Sequence, residues 1–123
     1  MMQKTIHIKI AFVLDEAGKP SVITQGGLTH YRIVISIANP PEDVYSVQYQ
    51  LDPSYINSFR IEDNKSEKFA FQTTAYGDYS LTASLLGRQG TYLASCIVSK
   101  ALKGNYNNPS GEIQSALKAI ADG

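Results

Sequence analysis

The sequence predicts an all-β fold, an antiparallel β-sandwich with one short C-terminal helix. Three observations carry that expectation. Apolar and polar residues alternate with a period of two along most of the chain. Turn signals built from Gly, Pro, Asn and Asp separate the alternating runs at roughly the 8–12-residue spacing of sandwiches and barrels. Helical spacing of apolar residues is confined to the tail, after Asn108-Pro-Ser110.

Thr5 to Val13 sets Ile6, Ile8, Ile10 and Phe12 on one face against His7, Lys9 and Ala11. Gly18 and Pro20 then turn the chain, and Gly26-Gly27 leads into Leu28–Ala38. There Tyr31, Ile33, Ile35 and Ile37 oppose His30, Arg32, Val34 and Ser36. Asn39-Pro-Pro41 ends that run, because proline cannot donate to a strand ladder. Val44 to Leu51 alternates again, and Phe59 to Glu62 and Lys68 to Thr74 are shorter strand segments. Tyr79 to Leu86, the hairpin turn Gly87-Arg-Gln-Gly90 and a returning strand from Tyr92 to Ala101 complete the β region. In the tail, Ser110 or Asn108 caps a helix with Glu112 in its first turn, and Ile113, Ala116, Leu117 and Ile120 share one stripe. So short a helix is marginal alone and needs a surface to pack on. The sandwich is expected over residues 1–106 and the helical tail over 107–123.

A chain of 123 residues fits one domain and can bury a core without a disulfide or metal staple. Its single cysteine, Cys96, lies in a strand-like run where cysteine acts as a small hydrophobe. Eleven basic and eleven acidic residues cancel, and no Lys/Arg cluster occurs, which argues against a nucleic-acid surface. No secretory h-region and no apolar stretch of about 20 residues is present, so a cytoplasmic location without a membrane span is expected.

Catalysis needs convergent titratable groups, and none converge here. His7 and His30, the two histidines, lie in alternating strands without metal-ligand spacing and read as surface or edge residues. Glu42-Asp43 and Glu62-Asp63 read as solvated turn acids. No phosphate loop or nucleophile elbow occurs. The expectation is a non-enzyme, with no metal and no cofactor. The eight tyrosines carry more information, because tyrosine suits a half-wet site. Tyr55, Tyr76 and Tyr79 fall in turn-like contexts, where recognition residues commonly sit.

Gln50-Leu-Asp-Pro-Ser-Tyr-Ile-Asn-Ser-Phe-Arg60, followed by Ala75-Tyr-Gly-Asp-Tyr79, resembles the YEATS domain. That family has Leu-His-x-Ser/Thr-Phe/Tyr-x-x-Pro-x-Arg before a Gly-Trp/Tyr-Gly-x-Phe motif at similar spacing. Gly27-Leu-Thr-His-Tyr-Arg32 is similar to the family's Gly-x-Thr-His-x-Trp segment. The resemblance implies an immunoglobulin-like sandwich and a reader of acylated lysine, the acyl amide held between aromatic rings. Carried over by position, Tyr55, Tyr76 and Tyr79 form the aromatic wall, Ser54 supplies a hydroxyl and the Gly77 backbone N–H holds the acyl carbonyl. Leu28 stands at the mouth, where the family often has an aromatic ring. Asp52 replaces the family histidine, and with Asp78 it adds negative charge beside the pocket. Ile56 and Ser58 also depart from the family pattern. The pattern is closer to the prokaryotic branch, whose members are proposed sensors attached to bacterial defence and signalling effectors. The implied partner is a protein or peptide, with a modified lysine or another small amide-bearing ligand at the pocket. The alternative reading is an adaptor that docks an effector, or a second copy, through an edge strand or the C-terminal helix.

Overall fold

A computed structural model describes residues 6–53 and 58–122. Its strands are β1 (His7–Phe12), β2 (Val22–Gln25), β3 (Leu28–Ala38), β4 (Val44–Gln50), β5 (Phe59–Glu62), β6 (Phe71–Ala75), β7 (Ser80–Gly87) and β8 (Gly90–Ile97). Two helices follow, α1 (Val98–Gly104) and α2 (Gly111–Asp122). The strands form two antiparallel sheets, as the alternation predicts.

β3 organises the first sheet. Its residues 33–35 pair with β1 and also with β6, which therefore occupy opposite edges. Tyr31 pairs with both Val22 of β2 and Ala75 of β6, so β2 shares an edge with β1. Arg32 bridges the gap between β1 and β2: its carbonyl accepts from Val13 N–H and its own N–H donates to Ser21. The sequence pattern does not mark β2 as a strand, because Val22-Ile-Thr-Gln25 does not alternate apolar with polar residues. The second sheet runs β5-β4-β7-β8.

The inward residues are those the period of two selects. Ile8, Ile10, Phe12, Ile33, Ile35 and Ile37 from the first sheet meet Val47, Tyr49, Leu81, Ala83 and Leu85 from the second. Tyr49 ties the layers together: its ring lies 4.8 Å from Phe71, and its hydroxyl donates to the Phe69 carbonyl at 2.9 Å. The side of the sandwich bounded by β5 and β6 is covered by Arg60, whose guanidinium lies 4.8 Å from the Phe71 ring centre and 3.2 Å from Glu62. An inward-pointing charge of this kind also discourages edge-to-edge pairing.

The other side, bounded by β1 and β8, is closed by the helices, with α1 packed on both strands and on α2. Here the returning strand expected over Tyr92–Ala101 requires correction, since it stops at Ile97 and the chain turns into α1 at Val98. Val98 and Leu102, one helical turn apart, are fully buried on the face α1 turns to the core. The tail helix begins where the cap signal placed it. Ser110 accepts the Ile113 N–H through its hydroxyl and the Gln114 N–H through its carbonyl. Ile113, Ala116 and Ile120 are buried, while Leu117 is only half-buried.

Candidate functional site

Strand register decides which loops meet. Tyr31 opposite Ala75 brings the start of β3 beside the segment leaving β6. Gln50 lies opposite both Phe59 and Thr82, so the chain leaves β4 and enters β5 and β7 at one end. Ser80 opposite Ile97 adds the β8–α1 junction to that end. The Tyr76–Tyr79 segment links the two sheets there. The Gly26-Gly27 turn belongs to it too; φ values of 57° and 79° at its two central residues fit the primed turns that hairpins favour.

Within this end, Tyr76 is half-buried and its ring centroid lies 4.9 Å from that of His30, the planes tilted by 54°. His30 alternates with the inward Tyr31 and Ile33, so the pair sits toward the outer face of the first sheet. The Nδ1 atom of His30 is shielded from solvent and has no hydrogen-bond partner among the described residues. Leu28 is exposed and opposite Gln25 at the mouth of the hairpin. Gly77 is half-buried. Tyr79 is half-buried against the core, and its carbonyl accepts from Val98 N–H at 3.0 Å. Of the expected tyrosine wall, the described residues place Tyr76 beside His30 and Tyr79 against the core.

Asp78 has a defined structural task. Its carboxylate accepts from the Ser99 N–H at 2.9 Å, the Ser99 hydroxyl at 2.6 Å and the Tyr79 N–H at 3.1 Å. An N–H in the first turn of α1 would otherwise lack an intrahelical partner. The loop is thus locked to the helix start. Asp52 is half-buried just after β4, and the connection it opens is closed by the Leu51 N–H donating to Ser58 at 2.6 Å. Ser54, Tyr55 and Ile56 lie outside the described residues.

The opposite end of the sandwich corrects the reading of the turn acids. Asp43 is built into the β7–β8 hairpin: its carboxylate accepts from the Gln89 N–H and from the Tyr92 hydroxyl at 3.0 Å. The Gln89 bond, joined by the Tyr92 bond and the charge of Lys65, holds its carboxyl below the usual range. The same hydrogen bond pushes the Tyr92 phenol up. Glu62, likewise expected to be solvated, is half-buried with Arg60. The Asp43 bonds span 46 and 49 residues, so nothing in the local sequence marks them, whereas Arg60 and Glu62 are two apart on one face of β5.

Two further findings bear on chemistry. Burial, with a smaller effect from the charge of Asp78, pushes the Cys96 thiol up to about 11, so little of it is thiolate at neutral pH. Among the described residues no group of three or more His, Cys, Asp or Glu side chains gathers where a metal ion could be held. No helix among them is long and apolar enough to cross a membrane.

No family model matches the chain, and no curated protein does. Among solved structures it is similar to the Yaf9 YEATS domain, described as recognizing an H3K122suc peptide. The two share 12% identity with a TM-score of 0.47, over 96% of this chain and 97% of that one.

His30 is the residue that sequence reasoning passed over. By its sequence context it is a surface or edge histidine, and only the β3–β6 register brings it to Tyr76. Ser99, the partner of Asp78, carries no sequence signal, since its stretch reads as strand.

Proposed function

We propose that this domain is a non-catalytic recognition module that binds a peptide or a small amide-bearing ligand at the loop end of the sandwich. The observation that carries the reading is the Tyr76–His30 ring pair with the unpartnered His30 Nδ1 beside it. Ring faces stabilise a flat amide by stacking, and a shielded ring nitrogen supplies one oriented hydrogen bond, as donor or acceptor according to tautomer. A concave, mostly apolar site with a few fixed polar groups is the usual form of a small-ligand site.

In this reading Leu28, Asp52, Ser54, Tyr55, Tyr76 and Gly77 contact the ligand. Tyr79 supports the loop from the core side, and Asp78 holds it in place through Ser99. The YEATS-like motifs favour an acylated lysine as the amide. Asp52 and Asp78 lend the rim negative charge, which disfavours anionic ligands and is weakened by salt. In the prokaryotic branch that the motifs resemble, such modules are proposed sensors for defence and signalling effectors, and we extend that cytoplasmic setting to this chain.

The test is titration of acetyl-lysine and crotonyl-lysine peptides, with unmodified lysine peptides as controls, followed by nuclear magnetic resonance of backbone amides. Shifts should cluster at residues 28–30, 52–55 and 76–79, and Tyr76→Ala should abolish them without lowering the melting temperature greatly. Equal binding of the unmodified peptide, or shifts confined to other surfaces, would reject the acyl-amide site.

A further inference from the structure

We propose that the groove between α1 and α2 is a docking site for an acidic amphipathic segment of a partner protein. The groove encloses about 580 Å³. Its apolar part is formed by Tyr106, Leu117 and Ala121, and its rim by Lys100, Lys103 and Lys118, with no acidic residue in the lining. The chain as a whole carries no net charge, so three cations around one apolar groove are a local concentration. Among the described residues none of these lysines is within ion-pair distance of a carboxylate.

Helical geometry explains why the lysines converge. Lys100 and Lys103 are three apart on α1, and Leu117, Lys118 and Ala121 form a second stripe on α2, displaced from the buried stripe Ile113, Ala116 and Ile120. Each helix is therefore anchored by one face and offers another. Val98 and Leu102 fix α1, and Asp78 holds its first turn, so the groove is defined before any partner arrives. Two acids lie near it, Asp122 four residues beyond Lys118 on α2 and Asp78 hydrogen-bonded to the lining residue Ser99. Among the described residues neither is within ion-pair distance of a groove lysine, and Glu112 lines a different surface beside Lys19 and Pro20.

An apolar strip flanked by cations is complementary to a helix with an apolar stripe and acidic flanks, the helix-in-groove mode of recognition. The lysine stems extend the apolar contact while their ammonium groups meet the partner's carboxylates. Such charges raise the association rate and select against basic partners. This surface is separate from the Tyr76–His30 site, and either can stand without the other.

The experiment uses the full chain with a synthetic amphipathic peptide bearing Leu on one helical stripe and Glu elsewhere, and its Lys-for-Glu counterpart. The Glu peptide should bind, shift amides of residues 99–106 and 114–121, and weaken as salt is raised. The combined variant Lys100→Glu, Lys103→Glu, Lys118→Glu should lose about tenfold in affinity, from three exposed attractions turned to repulsions. Ala121→Glu, at an exposed position, gives an independent reading and should weaken binding as well. Tyr76→Ala should leave it unchanged. Equal binding of the Lys peptide, no binding at millimolar concentration, shifts outside the two helices, or preferential binding to vesicles of anionic lipid would overturn the proposal.

Discussion

At Asp43 a single carboxylate joins the turn before β4 to the β7–β8 hairpin. Its oxygens accept from the Gln89 N–H and the Tyr92 hydroxyl. Gly87 makes room for it, since a Cβ there would meet Asp43 Oδ2 at 2.5 Å. The pH dependence follows from the two shifts. Asp43 is lowered in the folded state, so its contribution is present above the ordinary aspartate value and is lost as pH falls through the lower folded value. Tyr92 is raised, so its contribution is present below the ordinary tyrosine value and is lost as pH rises through the higher folded value. The bond is therefore fully formed between about pH 4 and pH 10. Melting temperatures measured across pH should fall at both limits in the wild type. Asp43→Asn should flatten the acid limb and Tyr92→Phe the alkaline limb; unchanged limbs in both variants would show that other groups set the pH response.

Among the elements, α1 is the instructive case. Ser95 to Ala101 reads as a continuing strand by local pattern, yet the chain becomes helical at Val98. Two tertiary contacts decide it: the Tyr79 carbonyl accepts the Val98 N–H, and Asp78 accepts from Ser99. The Asp78 carboxylate does from the β6–β7 loop what an N-cap side chain does locally. Asp78→Ala should then cost about 1 kcal/mol, the usual effect of losing a cap. For α2, Ile120 is fully buried while its helix is too short to persist alone. Ile120→Ala should cost about 2–4 kcal/mol by the cavity it leaves. Urea denaturation of both variants measures these costs, and a near-neutral Ile120→Ala would mean that α2 is only loosely seated.

Across the whole molecule, each open side of the sandwich has its own closure, Arg60 over Phe71 on one and the two helices on the other. The outer face of the β5-β4-β7-β8 sheet is left uncovered, with Ile61 58% and Leu93 78% exposed. Burial, and not hydrophobicity alone, sets what each apolar residue contributes. Leu93→Ser is expected to stay within about 0.5 kcal/mol of wild type. Leu85→Ala, fully buried between the sheets, is expected to cost about 2–5 kcal/mol. Comparable losses in the two variants would mean that the uncovered face is buried in solution, as in a self-associated form.

How much could be read before folding follows the range of each interaction. The period of two needs only the chain itself, so strands such as Leu28–Ala38 and Phe59–Glu62, the inward isoleucines of Leu28–Ala38 and the Ser110 cap were all legible in the sequence. Turn chemistry is equally local, and Gly87–Gly90 closed as expected. The sequence by itself thus determined the two-layer antiparallel architecture and which face of each strand is apolar. It did not determine that His30 meets Tyr76, that Asp78 starts α1, or that Asp43 latches a hairpin 46 residues away. Those depend on register and on the crossing between sheets, where residues remote in sequence become neighbours. Only the tertiary structure could decide them, because each is a choice among partners that no local pattern encodes.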